Sequence, residues 1–119
     1  MKGLTDKEIE LMDYLWKNPQ GLTMRELYGM LPEPRTHFNT ISTFIRRLEE
    51  GGFVSHKALG GHLFKYFAAI TRWEYEKIEQ KNFLSRFFNG SHIDFVHHLV
   101  QEEQISKEEL EELINLINK

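Results

Sequence analysis

The 119-residue chain is 40% hydrophobic and 28% charged, the balance of a soluble globular protein of one domain, or of one small domain with an oligomerisation module. Having no cysteine excludes disulfides, thiolate catalysis and cysteine-rich zinc sites, and fits a reducing compartment. No apolar run nears the roughly 20 residues needed to span a bilayer, and M-K-G-L-T-D-K-E has no apolar signal core, so a cytoplasmic protein is expected. The net charge of −3 is unevenly spread. Between Arg35 and Lys65 five cations meet two acids, whereas from Thr71 onward six cations meet ten acids. A basic front and an acidic rear follow, and the local field, not the total charge, governs contact with a polyanion.

Thr5-Asp6-Lys7-Glu8 is a capping box and predicts a helix to about Lys17, with Ile9, Met12, Leu15 and Trp16 on its buried stripe. Asn18-Pro19-Gln20-Gly21 ends it. A second box, Thr23-Met24-Arg25-Glu26, opens a short helix with Leu27 and Leu31 turned inward, and Pro32 and Pro34 mark the following turn. The segment Arg35–Val54 then carries Phe38, Ile41, Phe44, Ile45 and Leu48 at helical spacing. At about 100° per residue, Asn39, Ser42, Thr43 and Arg46 gather on the opposite face. Small hydrogen-bonding groups and one forked cation suit base edges and phosphates in a major groove. Gly51-Gly52 ends the helix, glycine taking the left-handed conformation at low cost.

Phe53–Lys57 reads as a strand, Leu59-Gly60-Gly61-His62 as a tight hairpin, and Leu63–Ala68 as the returning strand. Helix, helix, polar-faced helix and hairpin are the order of a winged helix-turn-helix. Candidate phosphate contacts are Arg35, Thr36, Thr40 and Arg47 around the third helix, and Lys57, His62 and Lys65 on the wing. Three further helices follow. Thr71 and Glu74 cap the first, Ser91 starts the second, and Ser106-Lys107-Glu108-Glu109 boxes the last. Their apolar residues, among them Phe83, Phe87, Phe88, Val96, Leu99, Val100, Leu110, Leu113, Ile114 and Ile117, are too many for so short a segment to bury alone, which predicts a dimerisation surface. The expected fold is mainly α with a small β-hairpin: a winged helix-turn-helix over residues 1–70 and a helical dimerisation region over 71–119. A symmetric dimer places two recognition helices on successive major grooves and doubles the cations at the DNA.

With these elements placed, the chain resembles the penicillinase-repressor family, the BlaI/MecI-type regulators. The resemblance is carried by Glu10–Trp16, by Asn39–Val54, by Lys81–Leu84 with Phe88–Gly90 behind it, and by Ile105–Leu113. It implies a homodimeric repressor on a palindromic operator, with Thr40 and Thr43 at the DNA and Arg46 close by. The helical wheel agrees for Thr43 and Arg46, and puts Thr40 at the edge of the face, nearer phosphate. The resemblance also implies control by a membrane-bound sensor metalloprotease that inactivates the repressor by cleavage. Where cleaved members of the family carry Asn-Phe, this chain reads His98-Leu99, so a different specificity or no cleavage is allowed. It also lacks the C-terminal cysteines of the copper-responsive members.

Other chemistries find less support. His92, His97 and His98 are spaced five and six residues apart, which does not align two metal ligands on one helical face, and no H-E-x-x-H occurs. Glu108, Glu109, Glu111 and Glu112 crowd a helix start, where the helix dipole accounts for them without catalysis. No phosphate-loop motif is present, and neither an enzyme nor a cofactor is expected. The alternative is a winged-helix protein-interaction module. Its Asn39–Arg46 face would meet a protein, anchored by Trp73 or by Phe87 and Phe88.

Overall fold

The computed structural model describes residues 2–119. The elements run α1 (Asp6–Lys17), α2 (Met24–Met30), α3 (Phe38–Glu50), β1 (Val54–Gly60), β2 (Leu63–Ala68), α4 (Arg72–Phe87), α5 (His92–Gln101) and α6 (Lys107–Ile117). Reciprocal capping sets most of the helix starts. At α1 the Thr5 hydroxyl accepts from the Glu8 amide at 3.3 Å while the Glu8 carboxylate accepts from the Thr5 amide at 2.9 Å. Thr23 with Glu26, Thr71 with Glu74, and Ser106 with Glu109 repeat the arrangement at α2, α4 and α6. At α5 the Ser91 hydroxyl accepts from the Asp94 amide.

Two compact units result, Met1–Ile78 and Glu79–Lys119, dividing within α4. In the first, Leu11, Met12 and Leu15 of α1 meet Leu27 of α2 and Ile41, Ile45 and Leu48 of α3 in one core, with Phe53, Val54, Ile70 and Tyr75 completing it. The α1 stripe is wider than its spacing predicts: Leu11 is fully buried, whereas Ile9 and Trp16 are only half-buried. The helix packs against both α3 and β2, so two of its faces need apolar side chains. The Trp16 indole N–H donates to the Ile70 carbonyl at 2.8 Å, and the Leu4 amide donates to the Tyr75 hydroxyl at 2.8 Å. These bonds pin the segments before α1 and after the hairpin to the core.

β1 and β2 pair antiparallel from Val54 opposite Ala68 to Gly60 opposite Leu63, with a bulge between Ala58 and Gly60. A third partner was not legible in the sequence. Leu22 exchanges both backbone hydrogen bonds with Tyr66, at 3.0 and 2.8 Å, making a one-residue strand beside β2. Gly21 permits this approach. Its φ is +89°, and a Cβ there would stand 2.6 Å from the Phe67 ring.

In the second unit Phe83, Phe87, Phe88 and Phe95 form an aromatic cluster with ring centroids 5.2–5.8 Å apart, and the His98 ring lies 5.7 Å from Phe88. None of the described residues of α5 or α6 is buried. Of the expected dimerisation residues, Phe83, Phe87, Val96, Val100, Leu113, Ile114 and Ile117 are exposed, Ile117 by 81%, and Phe88, Leu99 and Leu110 are half-buried. α5 ends in a Schellman turn. The Gln104 amide donates to the Leu99 carbonyl and the Glu103 amide to the Val100 carbonyl, with Glu103 at φ +57°.

A left-handed non-glycine residue costs about 1 kcal/mol, so Glu103→Gly should raise stability by up to about that amount, read as an increased thermal midpoint. In Glu26, Glu74 and Glu109, hydrogen bonds from the cap amide first and the cap hydroxyl second hold the carboxyl below its ordinary pKa. A depressed carboxylate contributes stability above its unfolded-state pKa and loses it as pH falls through the folded value. The triple Glu→Gln variant keeps the acceptors but cannot titrate. Its stability should therefore fall less than wild type on acidification, in urea titrations across the carboxylate range.

Candidate nucleic-acid interface

α3 is held by one side. Ile41, Ile45 and Leu48 are 0–1% exposed, while Asn39, Thr40, Arg46 and Arg47 stand in solvent and Ser42 and Thr43 are partly exposed. Phe44 is half-buried, but Phe38 departs from the expected stripe and is 39% exposed. As the first residue of the helix, it packs edge-on against Tyr28 of α2 with centroids 5.2 Å apart. The helix is capped by His37, whose Nδ1 accepts from the Asn39 amide at 3.2 Å. Histidine lies outside the usual Ser/Thr/Asp/Asn cap set, so only its place before the apolar stripe signals this role.

At the other end, Gly52 at φ +87° completes a Schellman motif. Its amide donates to the Glu49 carbonyl at 3.0 Å, and the Phe53 amide donates to the Leu48 carbonyl at 2.9 Å. Phe53 drops into the core, and β1 begins at the next residue. One backbone turn thus joins the exposed helix face to the hairpin.

Chemically, the face of α3 offers mixed donors and acceptors. The Thr43 hydroxyl donates to the Asn39 carbonyl at 2.9 Å, which leaves its lone pairs available to an outside donor. Asn39 carries both a donor and an acceptor in its amide. Among the described residues neither Arg46 nor Arg47 has an ion-pair partner. The two arginines serve different sides: Arg47 lines a groove with Lys2, Thr5 and Phe44, whereas Arg46 lies a helical step away. Arg35 is engaged locally. Its Nε donates to the Leu31 carbonyl at 3.1 Å, its guanidinium lies 3.6 Å from Glu33, and it sits over the Tyr28 ring at 5.5 Å. It thereby closes the C-terminal end of α2, and a phosphate there would have to share it. Thr36 is exposed on the approach to α3.

On the hairpin, Lys57 stands directly opposite Lys65. Like charges in that register repel, and an anion bound between or beside them relieves the repulsion. Lys65 also lies close enough to Glu26 to lower that carboxyl slightly. His62 is exposed at the tip, next to Gly60 and Gly61 at φ +123° and +57°. Sequence reasoning missed a contact between Glu49 at the end of α3 and His56 of β1. These residues belong to two elements with no local pattern linking them.

The model of the family described as penicillinase repressor matches residues 4–119. The penicillinase repressor of Bacillus licheniformis is 30% identical over 115 residues, covering 96% of this chain and 88% of that one. The methicillin resistance regulatory protein MecI of Staphylococcus aureus is 26% identical over 116 residues, covering 98% and 94%. Among solved structures, MepR, a transcription regulator of the Staphylococcus aureus multidrug efflux pump MepA, matches with a TM-score of 0.50 at 20% identity, over 97% of this chain and 76% of that chain. At that identity the likeness is one of fold, and the fold is winged-helix. Matched almost end to end by the family model, with the capped helices, polar-faced α3 and wing in place, the chain belongs to the penicillinase-repressor family, whose members are transcriptional repressors rather than enzymes.

Proposed function

We propose that this chain represses transcription as a homodimer on a palindromic operator, with α3 in the major groove. The observation that carries the reading is the one-sided burial of α3, which leaves Asn39, Thr40, Ser42, Thr43 and an unpaired Arg46 accessible on a rigid helix. A groove-reading helix needs that combination: a fixed backbone, short polar groups, and a guanidinium free to fork onto a base or phosphate. Lys57, Lys65 and His62 on the wing, with Arg47 and Thr36, are the proposed phosphate contacts. The exposed apolar residues of α4 to α6 support the dimer, because a second copy would remove them from water. With so modest a local charge, two copies are also what brings enough cations to one duplex.

Derepression through a sensor-linked signal or proteolysis belongs to the same proposal. His98-Leu99 lies inside α5, so a protease acting there must first open that helix.

Fluorescence anisotropy against a duplex from the promoter of the chain's own gene, with a scrambled duplex as control, tests the DNA reading. Arg46→Ala should cost roughly 1–3 kcal/mol of specific binding if Arg46 reads a base, and lower the salt slope by about 1 if it meets phosphate. Unchanged affinity and slope would remove Arg46 from the interface. Leu113→Glu should leave the first unit folded yet convert the dimer to monomer in sedimentation velocity, and abolish tight specific binding with it. A monomer that binds as tightly as wild type would contradict the proposed assembly.

A further inference from the structure

The last turn of α3 is bridged to the first strand of the wing by Glu49 and His56. A carboxylate only accepts, so Nδ1 of His56 carries the hydrogen and donates to Oε2 of Glu49. The imidazole is held from the hairpin side as well. It lies edge-on to Phe64, with centroids 5.2 Å apart, and tilted against Tyr66, its register partner, at 6.1 Å. The next residue along the strand is Lys57, facing Lys65. The Schellman turn fixes where β1 leaves α3, and β2 is anchored through the Leu22–Tyr66 bridge, but past Val54 every residue of β1 is exposed, so β1 has no core packing of its own to hold its outer part against α3.

We propose that Glu49 and His56 are positioning residues: their contact fixes the wing relative to α3 so that Lys57, Lys65 and Arg46 engage one duplex together. This inference rests on the DNA-binding reading of the α3 face. It makes a prediction opposite in sign to simple electrostatics. Glu49 is an anion beside a surface meant for a polyanion, and deleting it should by charge alone tighten binding. Loss of the contact weakens binding instead.

The test uses the full chain and the tightest duplex recovered by selection from a random library. It compares Glu49→Ala, Glu49→Gln, His56→Phe and the Glu49→Ala/His56→Phe pair with the Lys57→Gln/Lys65→Gln double variant. Alanine suits the helix and glutamine keeps an acceptor for His56, while phenylalanine keeps the ring but lacks the donor. Glu49→Ala and His56→Phe should each weaken binding roughly tenfold, the scale of one lost hydrogen bond, and flatten the salt dependence as the lysine variant does. The Glu49→Ala/His56→Phe pair should bind no more weakly than either single variant, and Glu49→Gln at least as tightly as wild type. In the free protein, Glu49→Ala should speed amide hydrogen exchange across residues 55–67 and leave α3 unchanged. Unchanged or tighter binding by Glu49→Ala overturns the proposal, and this variant decides the matter if His56→Phe fails to fold. If wild type selects no duplex, the DNA reading itself fails. The exchange measurement then decides the coupling alone, with unchanged wing exchange overturning it.

Discussion

Ile41, Ile45 and Leu48 hold α3 to the core along one narrow stripe, and the positions of the other candidate contacts follow from that attachment. With three side chains sealed from water, the helix cannot roll, so Asn39, Ser42, Thr43 and Arg46 stay outward without any ligand to order them. The same helix ends where Gly52 turns left-handed and Phe53 enters the core beside Leu48. That turn is a backbone constraint, set by hydrogen bonds to the carbonyls of Leu48 and Glu49, and it launches β1 in a fixed direction. Shortening any of the three apolar side chains would loosen both the helix and the start of the wing. Leu22, bridged to Tyr66 through the opening at Gly21, ties the hairpin back to the segment between α1 and α2.

Electrostatics explain how a chain of net charge −3 can present a face to DNA. The acids concentrate after Thr71, and the segment Arg35–Lys65 carries the cation excess. Within that segment the arginines of α3 and the wing lysines lack ion-pair partners among the described residues, and the two lysines stand opposite one another across the hairpin. Cations left unneutralised by the protein are those that can release counterions from phosphate. Arg35 shows the contrast, since its guanidinium is already bound to the Leu31 carbonyl and lies beside Glu33.

What could be read from the sequence was what local chemistry dictates. The Ser/Thr-x-x-Glu boxes located the helix starts because both halves of each bond lie three residues apart. The glycine pairs marked the end of α3 and the hairpin tip, where left-handed backbone is required. The polar face of α3 followed from helical period alone. Features created by tertiary approach were not legible. Leu11 is buried because α1 packs on two neighbours, Phe38 at the start of α3 stays 39% exposed beside Tyr28, and Leu22 becomes a strand residue because β2 passes beside it. The His37 cap and the contact between Glu49 and His56 use residue types that carry no positional signal of their own.

The most direct measurement is selection of bound duplexes from a random library by the full chain, followed by sequencing of the enriched pool. The proposed dimeric repressor predicts enrichment of two inverted half-sites, with centres about one helical turn, roughly 10 base pairs, or a multiple of it apart. No enriched sequence, or a single half-site without its inverted repeat, would contradict it.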